Sequence, residues 1–77
     1  MDSREQRLQH VFGRTMDLRE VDWETLEFRH EARWDSVAHL QLIVELEQEF
    51  QITIGNDEVL QMTSYRNILD VLRRLGA

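Results

Sequence analysis

The chain has 77 residues, no cysteine and a formal net charge of -6 at neutral pH. This length accommodates one compact domain, and the missing thiols exclude a disulfide framework, a thiolate metal site and a cysteine nucleophile. The acidic balance argues against binding to nucleic acid or anionic membranes, because both need clustered Lys and Arg. Partner proteins with basic surfaces fit better.

The pattern of apolar residues bears on location and domain organisation. The longest apolar run is three residues, Leu42-Ile43-Val44, so we expect no membrane insertion. Residues 1–5 lack the apolar core of a secretory signal. We therefore expect a cytoplasmic, monomeric protein with a single domain over residues 1–77.

The first predicted helix covers about residues 4–13. Leu8, Val11 and Phe12 recur at helical spacing along it. Gly13 follows them and can adopt the left-handed conformation that ends many helices. We therefore expect this helix to end at the glycine.

Residues 14–34 show no sustained hydrophobic period. A connection of this length is unusual in a compact domain, and its scattered apolar side chains imply an ordered loop that lies against the core. We expect one helical turn near residues 22–26. Trp23 and Trp34 are candidates for stacking on a ligand, but anchoring the loop to the helices is the better interpretation.

The strongest helical pattern covers residues 36–50. Asp35 is a favoured N-cap residue, so the helix is expected to begin at Ser36. With about 100° of rotation per residue, one face is predicted to be buried and consists of His39, Leu42, Ile43, Leu46 and Phe50. A second apolar stripe flanks this face and consists of Val37, Leu40 and Val44. A hydroxyl at the helix start therefore lies at the head of a partly exposed apolar track.

A buried connector and a short helix are predicted to follow. Residues 51–54 alternate polar and apolar side chains but have no second strand to pair with. Gly55 ends the connector, and Asn56 is predicted to cap the short helix. The apolar side of that helix is assigned to Val59, Leu60 and Met62.

The last predicted helix starts at a cap provided by Thr63 or Ser64 and ends at Gly76. Its apolar face consists of Tyr65, Ile68, Leu69, Leu72 and Leu75. Three long helices and one short helix indicate an all-α four-helix bundle.

The order of these elements and one run of residues resemble the acyl carrier proteins. The run comprises Asp35-Ser36-Val37, Leu40, Leu42-Ile43, Glu45-Leu46-Glu47 and Glu49-Phe50. The resemblance extends through Ile52, Ile54, Asp57-Glu58 and Met62-Thr63-Ser64, and is weakest over residues 14–33. Asp-Ser pairs are common at helix starts, so the specific signal is the register of apolar and acidic residues behind the pair.

This resemblance implies that Ser36 is esterified by a 4′-phosphopantetheine arm, whose terminal thiol carries an acyl group as a thioester. It also implies that Asp35 holds Mg²⁺ transiently while the arm is transferred from coenzyme A. The implied partners are a phosphopantetheinyl transferase and the enzymes that load and receive the acyl group. The protein itself is then a carrier and not an enzyme, with no catalytic residue and no resident metal.

The flanking apolar stripe is interpreted as a docking surface for these enzymes. Its centre is Val37, Leu40 and Val44, its rim is Gln41, Glu47 and Gln48, and Met62 extends it as an adaptable contact. The alternative is that the three central residues lie at the edge of the core and that Met62 lies inside it. Basic patches on the partner enzymes are expected to steer the encounter.

Several residues depart from the family pattern. Trp34 stands where members usually carry a small residue, Val37 replaces the commoner Leu, and Gly55 stands where Pro is frequent. Gln41 and Gln48 are neutral where the carriers of fatty-acid synthesis tend to be acidic. These departures favour a dedicated carrier of polyketide, hybrid peptide or surface-polysaccharide assembly over a carrier of primary fatty-acid synthesis.

Two other interpretations were weighed against the carrier. Asp35, Ser36 and His39 could suggest a hydrolase triad, but neighbours on one helix do not orient the base correctly, and no Gly-rich turn supplies an oxyanion hole. A partly buried His39 bonded to a loop carbonyl is the better interpretation. The alternative function is a helical adaptor of the same fold that is never modified and works only through the apolar stripe.

Overall fold

Four α-helices build the protein, and a computed structural model describes residues 3–77, with side chains from Arg4 onward. The helices are Ser3–Met16 (α1), Ser36–Phe50 (α2), Asn56–Gln61 (α3) and Tyr65–Arg74 (α4), and a 3₁₀ turn covers Trp23–Thr25. Over residues 3–77 the extended pairing is one isolated bridge between Glu27 and Ser64. The predicted all-α bundle of three long helices and one short helix is confirmed.

The core lies where the apolar sides of the helices meet. Helix α1 packs along α2, while α3 and the 3₁₀ turn pack against α4. Helix α2 buries Leu42, Ile43, Leu46 and Phe50, the residues that its helical period assigned to the core. Among the side chains that meet them are Leu8, Val11 and Phe12 of α1 and Ile68 and Leu72 of α4.

Helix α1 is longer than predicted, because Gly13 lies inside the helix. A Cβ atom at Gly13 would lie 2.9 Å from Nη1 of Arg19, and Nη2 of Arg19 donates a hydrogen bond to the Gly13 carbonyl oxygen at 3.1 Å. The helix ends at Met16, where Asp17 adopts the left-handed conformation with φ of 56°. The glycine therefore permits the close approach of Arg19, and the prediction that it ends the helix is wrong.

The long loop between α1 and α2 is anchored by aromatic side chains. Trp34 is buried, and its ring centroid lies 5.1 Å from that of Phe12 and 6.0 Å from that of Phe28. Trp23 lies in the 3₁₀ turn, with its ring centroid 5.2 Å from that of Tyr65. The predicted helical turn in this loop is confirmed, and the packing agrees with an anchoring role for both tryptophans.

The same loop pairs with the segment between α3 and α4. The Phe28 N–H donates to the Thr63 carbonyl at 2.8 Å, and the Tyr65 N–H donates to the Leu26 carbonyl at 3.1 Å. These bonds place Phe28 beside the end of α3. The loop and α3 therefore form one wall next to the start of α2.

The cap of α3 differs from the prediction. Gly55 is the N-cap residue, and Asn56 lies inside the helix as its first residue. A Cβ atom at Gly55 would lie 2.7 Å from Oε1 of Glu58. Glycine thus leaves room for a carboxylate at the positive end of the helix dipole, and the prediction that Asn56 caps α3 is wrong.

The predicted apolar residues of α3 do not all face the same way. Met62 is fully buried, whereas the side chain of Leu60 is 77% exposed. Val59 is partly buried, and its neighbour Leu60 is rotated about 100° from it around the helix axis, toward solvent. The prediction of Met62 as a partner contact is therefore wrong, and Leu60, predicted on the apolar side of α3, is exposed.

The remaining predicted boundaries are confirmed. Ser64 caps α4, since its Oγ accepts a hydrogen bond from the Asn67 N–H at 3.0 Å. Gly76 follows the helix with φ of 82°, a conformation that favours glycine. In the connector, Ile54 is buried and Ile52 is partly buried. The start and the end of α4 are thus determined by local sequence.

Candidate functional site

Ser36 is exposed and is the first residue of α2. Asp35 precedes it in an extended conformation, and its Oδ1 accepts a hydrogen bond from the Ala38 N–H at 2.8 Å. The Asp35 carbonyl accepts a second bond, from the His39 N–H at 2.8 Å. The predicted N-cap and helix start are confirmed, and they hold the Ser36 hydroxyl at a rigid, accessible position.

The start of α2 suits a phosphate group. The first N–H groups of a helix have no carbonyl partner within it. One of them, the Ala38 N–H, donates instead to the Asp35 side chain. The other N–H groups of the first turn and the positive end of the helix dipole favour an anion at this position. A phosphodiester on the Ser36 oxygen therefore fits the backbone that the sequence places there.

His39 connects three elements beside Ser36. Its Nδ1 accepts a hydrogen bond from Nε1–H of Trp34 at 3.0 Å, and its Nε2 lies 3.1 Å from the carbonyl oxygen of Val59. Because Nδ1 accepts, we assign the proton to Nε2, which donates to Val59. The predicted bond to a carbonyl is present, but the carbonyl belongs to α3 and not to a loop.

These bonds leave His39 no role as a general base. Both of its ring nitrogens are engaged, and neither bond involves Ser36. The side chain instead fixes the distance between α2 and α3 near the serine. A hydrolase triad is therefore not formed by these residues.

An apolar groove of about 310 Å³ lies between α2, α3 and the long loop. Ser36 lies at its edge, and its walls are formed by Phe28, His39, Leu40, Val59, Leu60 and Thr63. Leu60, predicted on the apolar side of the short helix, thus belongs to this groove. A chain attached to the Ser36 oxygen can reach apolar side chains without entering the core.

The predicted docking stripe is exposed. Val37 is 77% exposed, Leu40 63% and Val44 47%. Gln41 and Gln48 are exposed beside them. Leu60 is exposed as well, and it lines the groove together with Leu40. We call Val37, Leu40, Gln41 and Val44 the docking face.

The glutamates of α2 are engaged within the molecule. Oε2 of Glu47 accepts a hydrogen bond from the Ile54 N–H at 2.8 Å, which holds the connector after α2. Nη2 of Arg14 lies 3.3 Å from Oε1 of Glu45 and 3.5 Å from Oε1 of Glu49. Glu45 and Glu49 are therefore paired with a cation, whereas Glu47 keeps its charge and is bonded to the connector.

Glu49 has a further partner on α1. Nε of Arg7 donates to its Oε2 at 2.9 Å, and Nη2 of Arg7 donates to its backbone carbonyl. The hydrogen bond from Arg7 is the main cause that lowers the pKa of the Glu49 carboxyl below its ordinary value, against a smaller opposing effect of burial. This carboxylate stays ionised at neutral pH.

The fold and the site together define a small helical carrier, in which a capped serine at a helix start is presented beside an apolar groove. The chain matches a family model described as phosphopantetheine attachment site over residues 6–72, and it belongs to that family. Members hold 4′-phosphopantetheine covalently and are carriers, not enzymes. The resemblance to acyl carrier proteins is thus confirmed at the level of the family.

Other comparisons add no relative. No curated protein and no solved structure matches the chain significantly. Within residues 3–77, no helix has the length and apolar character that a membrane crossing requires. In the same part of the chain, no three side chains of His, Asp or Glu are grouped as a metal site.

Sequence analysis missed two residues of this region. No clear signal in the sequence identified Leu60, because adjacent residues of a helix can both be buried, as Leu42 and Ile43 are in α2. Arg14 gave no signal, since its role depends on the side-by-side packing of α1 and α2. Contacts between helices that are far apart in sequence cannot be deduced from the period of either helix alone.

Proposed function

We propose that Ser36 is the attachment residue for 4′-phosphopantetheine and that the protein carries acyl intermediates as thioesters between partner enzymes. The observation that carries this proposal is the exposed Ser36 at the capped start of α2, inside the matched region. The attached group supplies the thiol that forms the thioester, because the chain has no cysteine.

Attachment is a phosphoryl transfer from coenzyme A. The Ser36 oxygen forms a bond to the phosphorus that bears the pantetheine, and the bond from this phosphorus to the bridging oxygen of the diphosphate breaks. The adenosine bisphosphate leaves with that electron pair, and the hydroxyl proton passes to a base on the transferase. Mg²⁺ beside Asp35 would neutralise charge on the diphosphate.

Asp35 can serve as both helix cap and metal ligand. Its cap uses Oδ1, and the residue is exposed, so Oδ2 can contact a cation held jointly with the transferase. Phe28, Leu40 and Val59 of the groove would contact the apolar parts of the attached group. The site therefore offers one polar and one apolar side to the modified serine.

The attachment residue is tested by intact-protein mass spectrometry after incubation with coenzyme A, Mg²⁺ and a broad-specificity phosphopantetheinyl transferase. We expect the wild type to gain the mass of one phosphopantetheine and Ser36→Ala to gain none. Ser64→Ala is the matched control, because Ser64 also lies at a helix start. It should be modified like the wild type.

The same experiment distinguishes the alternative function. A folded wild type that gains no mass would overturn the carrier proposal and favour an unmodified adaptor acting through the docking face. Modification that persists in Ser36→Ala would move the attachment to another residue. Circular dichroism of each sample establishes that the variants are folded.

The role of Asp35 is tested by Asp35→Asn. Asparagine caps helices as well as aspartate does, so the free energy of unfolding should change little, while the carboxylate is lost. We expect the rate of modification to fall by about tenfold or more, since weakening even the outer partners of a bound metal costs that much. A wild-type rate in Asp35→Asn, at saturating Mg²⁺, would remove the metal role.

We further propose that the docking face receives the enzymes of a specialised pathway, such as polyketide, hybrid peptide or polysaccharide assembly. The neutral side chains of Gln41 and Gln48 support this proposal. An acyl transferase of primary fatty-acid synthesis should load the modified protein slowly, and Gln41→Glu with Gln48→Glu should accelerate loading. Loading as fast as that of the transferase's own carrier would contradict the specialised assignment.

A further inference from the structure

We propose that Arg14 of α1 neutralises the carboxylates beside the docking face, so that the partner contacts this face through an apolar surface without a cluster of Lys or Arg. This inference rests on the proposed function, because it concerns the enzymes that approach Ser36. It changes the expectation of basic partner patches that the net charge of the chain had suggested.

The first observation is the position of Arg14 relative to the acids. One guanidinium nitrogen, Nη2, approaches both Glu45 and Glu49, at 3.3 and 3.5 Å. Glu45 in turn accepts a weak hydrogen bond from the Gln41 side chain, at 3.4 Å. The acid nearest the docking face is therefore held between a neutral amide and a cation.

The second observation is the flank of the docking face that faces α1 and the long loop. Arg14 and Arg33 border one shallow depression of about 550 Å³ together with Val37 and Gln41. Arg33 is tied to the loop, because its Nε lies 3.2 Å from Oε2 of Glu31 and its Nη1 donates to the Asp17 carbonyl at 3.2 Å. Asp35 lines the same depression, so this flank has no excess of acidic over basic side chains.

The third observation is the state of the remaining glutamate. Glu47 is partly buried and bonds to the Ile54 N–H, so its carboxylate is occupied on the connector side. Exposed acidic side chains also lie outside the docking face, including Glu20 and Asp22 of the long loop and Asp57 of α3. A basic surface would therefore also be attracted to those segments.

The chemistry of the face then determines its partner. Val37, Leu40 and Val44 offer apolar area, and burial of such area contributes most of the binding free energy at the centre of an interface. Charges at the rim act mainly on the rate of association. A partner surface with apolar side chains and a neutral rim matches this face, because Arg14 already pairs with the carboxylates of Glu45 and Glu49 that a cluster of Lys and Arg would need.

The test uses three amphipathic helical peptides that share one apolar side and differ only in their rim, which is Gln, Lys or Glu. Binding to the unmodified wild type is followed by NMR at the amides of residues 37, 40 and 44. We expect the Gln and Lys peptides to bind the docking face with similar dissociation constants. The Lys peptide should produce additional shifts in the acidic loop that disappear at about 1 M salt.

Arg14→Gln removes the proposed neutralising cation. We expect the Lys peptide to bind the docking face of this variant about two- to fivefold more tightly, the range that one exposed charge pair contributes, with the Gln peptide unchanged. Arg73→Gln is the matched control, because it loses the same charge and its partner Asp70 lies on its own helix. It should bind both peptides like the wild type.

Two outcomes would overturn the proposal. One is a wild-type docking face that prefers the Lys peptide by tenfold or more in low salt. The other is an Arg14→Gln variant that binds all three peptides like the wild type. Mass spectrometry of the same wild-type sample separates this failure from that of the carrier function, since Ser36 can be modified whichever peptide binds.

Discussion

The two apolar sides of α2 differ in burial. Leu42 and Leu46 lie on one side and are fully buried against α1 and the core, whereas Val37 and Leu40, on the other, are mostly exposed. Both sides have apolar side chains at helical spacing, so their chemistry does not separate them. The difference arises because α1 packs along one side only, which leaves the other side exposed.

The buried side of α2 therefore contributes stability, and the exposed side is available for the proposed function. Burying an aliphatic side chain contributes roughly 1.5–3 kcal/mol to folding, and the exposed side chains provide almost none of this. An apolar surface that does not stabilise the fold has a cost in solubility, and such patches mark interaction sites. The side with Val37, Leu40 and Val44 is accordingly the one that the proposed function uses.

The largest expected effect comes from truncating each side in turn. Leu46→Ala should lower the free energy of unfolding by about 2–5 kcal/mol, because it removes buried methyl groups and leaves a cavity. Leu40→Ala should change it by less than about 0.5 kcal/mol, as at other surface positions. Urea unfolding followed by circular dichroism measures both.

A conservative control strengthens this pair. Leu46→Met keeps most of the volume and should cost less than about 1.5 kcal/mol. If Leu40→Ala destabilised the protein as much as Leu46→Ala, Leu40 would be packed in solution and the docking face would be incorrect.

A smaller effect on the free energy of unfolding is expected at His39, which lies between the buried and the exposed side of α2. His39→Leu leaves the Nε1–H of the buried Trp34 without its partner, at a cost of about 1–3 kcal/mol. It also removes the His39 bond to the Val59 carbonyl, which keeps a hydrogen bond from the Met62 N–H at 3.3 Å. Trp34→Phe removes the same hydrogen bond from the other end. The double variant should therefore cost less than the sum of the single variants, by about 0.5 kcal/mol or more.

Thermal and urea unfolding of the four proteins complete this cycle. Additive effects would mean that the Trp34–His39 hydrogen bond contributes nothing, and that His39 matters only through its bond to Val59.

Sequence reasoning succeeded where one helix sufficed and failed where two had to meet. The start of α2 at Ser36, its buried side and the cap at Ser64 follow from local rules about caps and period. The prediction that Gly13 ends α1 failed because the reason for a glycine there is the close approach of Arg19, which lies in the following loop. Met62 and the salt bridges of Arg14 likewise depend on how helices lie against each other, which no helical period contains.

The smallest expected effect concerns the charged margin of α2, where Glu49 pairs with Arg7 and Arg14. The pKa of Glu49 is lowered in the folded protein, chiefly by the hydrogen bond from Arg7. The folded state therefore binds this proton less readily than the unfolded state does. The resulting stabilisation is complete above the unfolded pKa, near 4.5, and is lost as the pH falls through the folded pKa.

Glu49→Gln should accordingly lower the free energy of unfolding at pH 7 by up to about 1 kcal/mol, since the pair is partly exposed, and the difference from the wild type should shrink as the pH falls below 4.5. Urea unfolding at a series of pH values measures this. Arg7→Gln should give the same pH dependence, with an added loss that does not vary with pH, because its guanidinium also lies 4.5 Å from the Phe50 ring centroid. A wild-type acid profile in Glu49→Gln would show that the ion pairs of Glu49 contribute no stability.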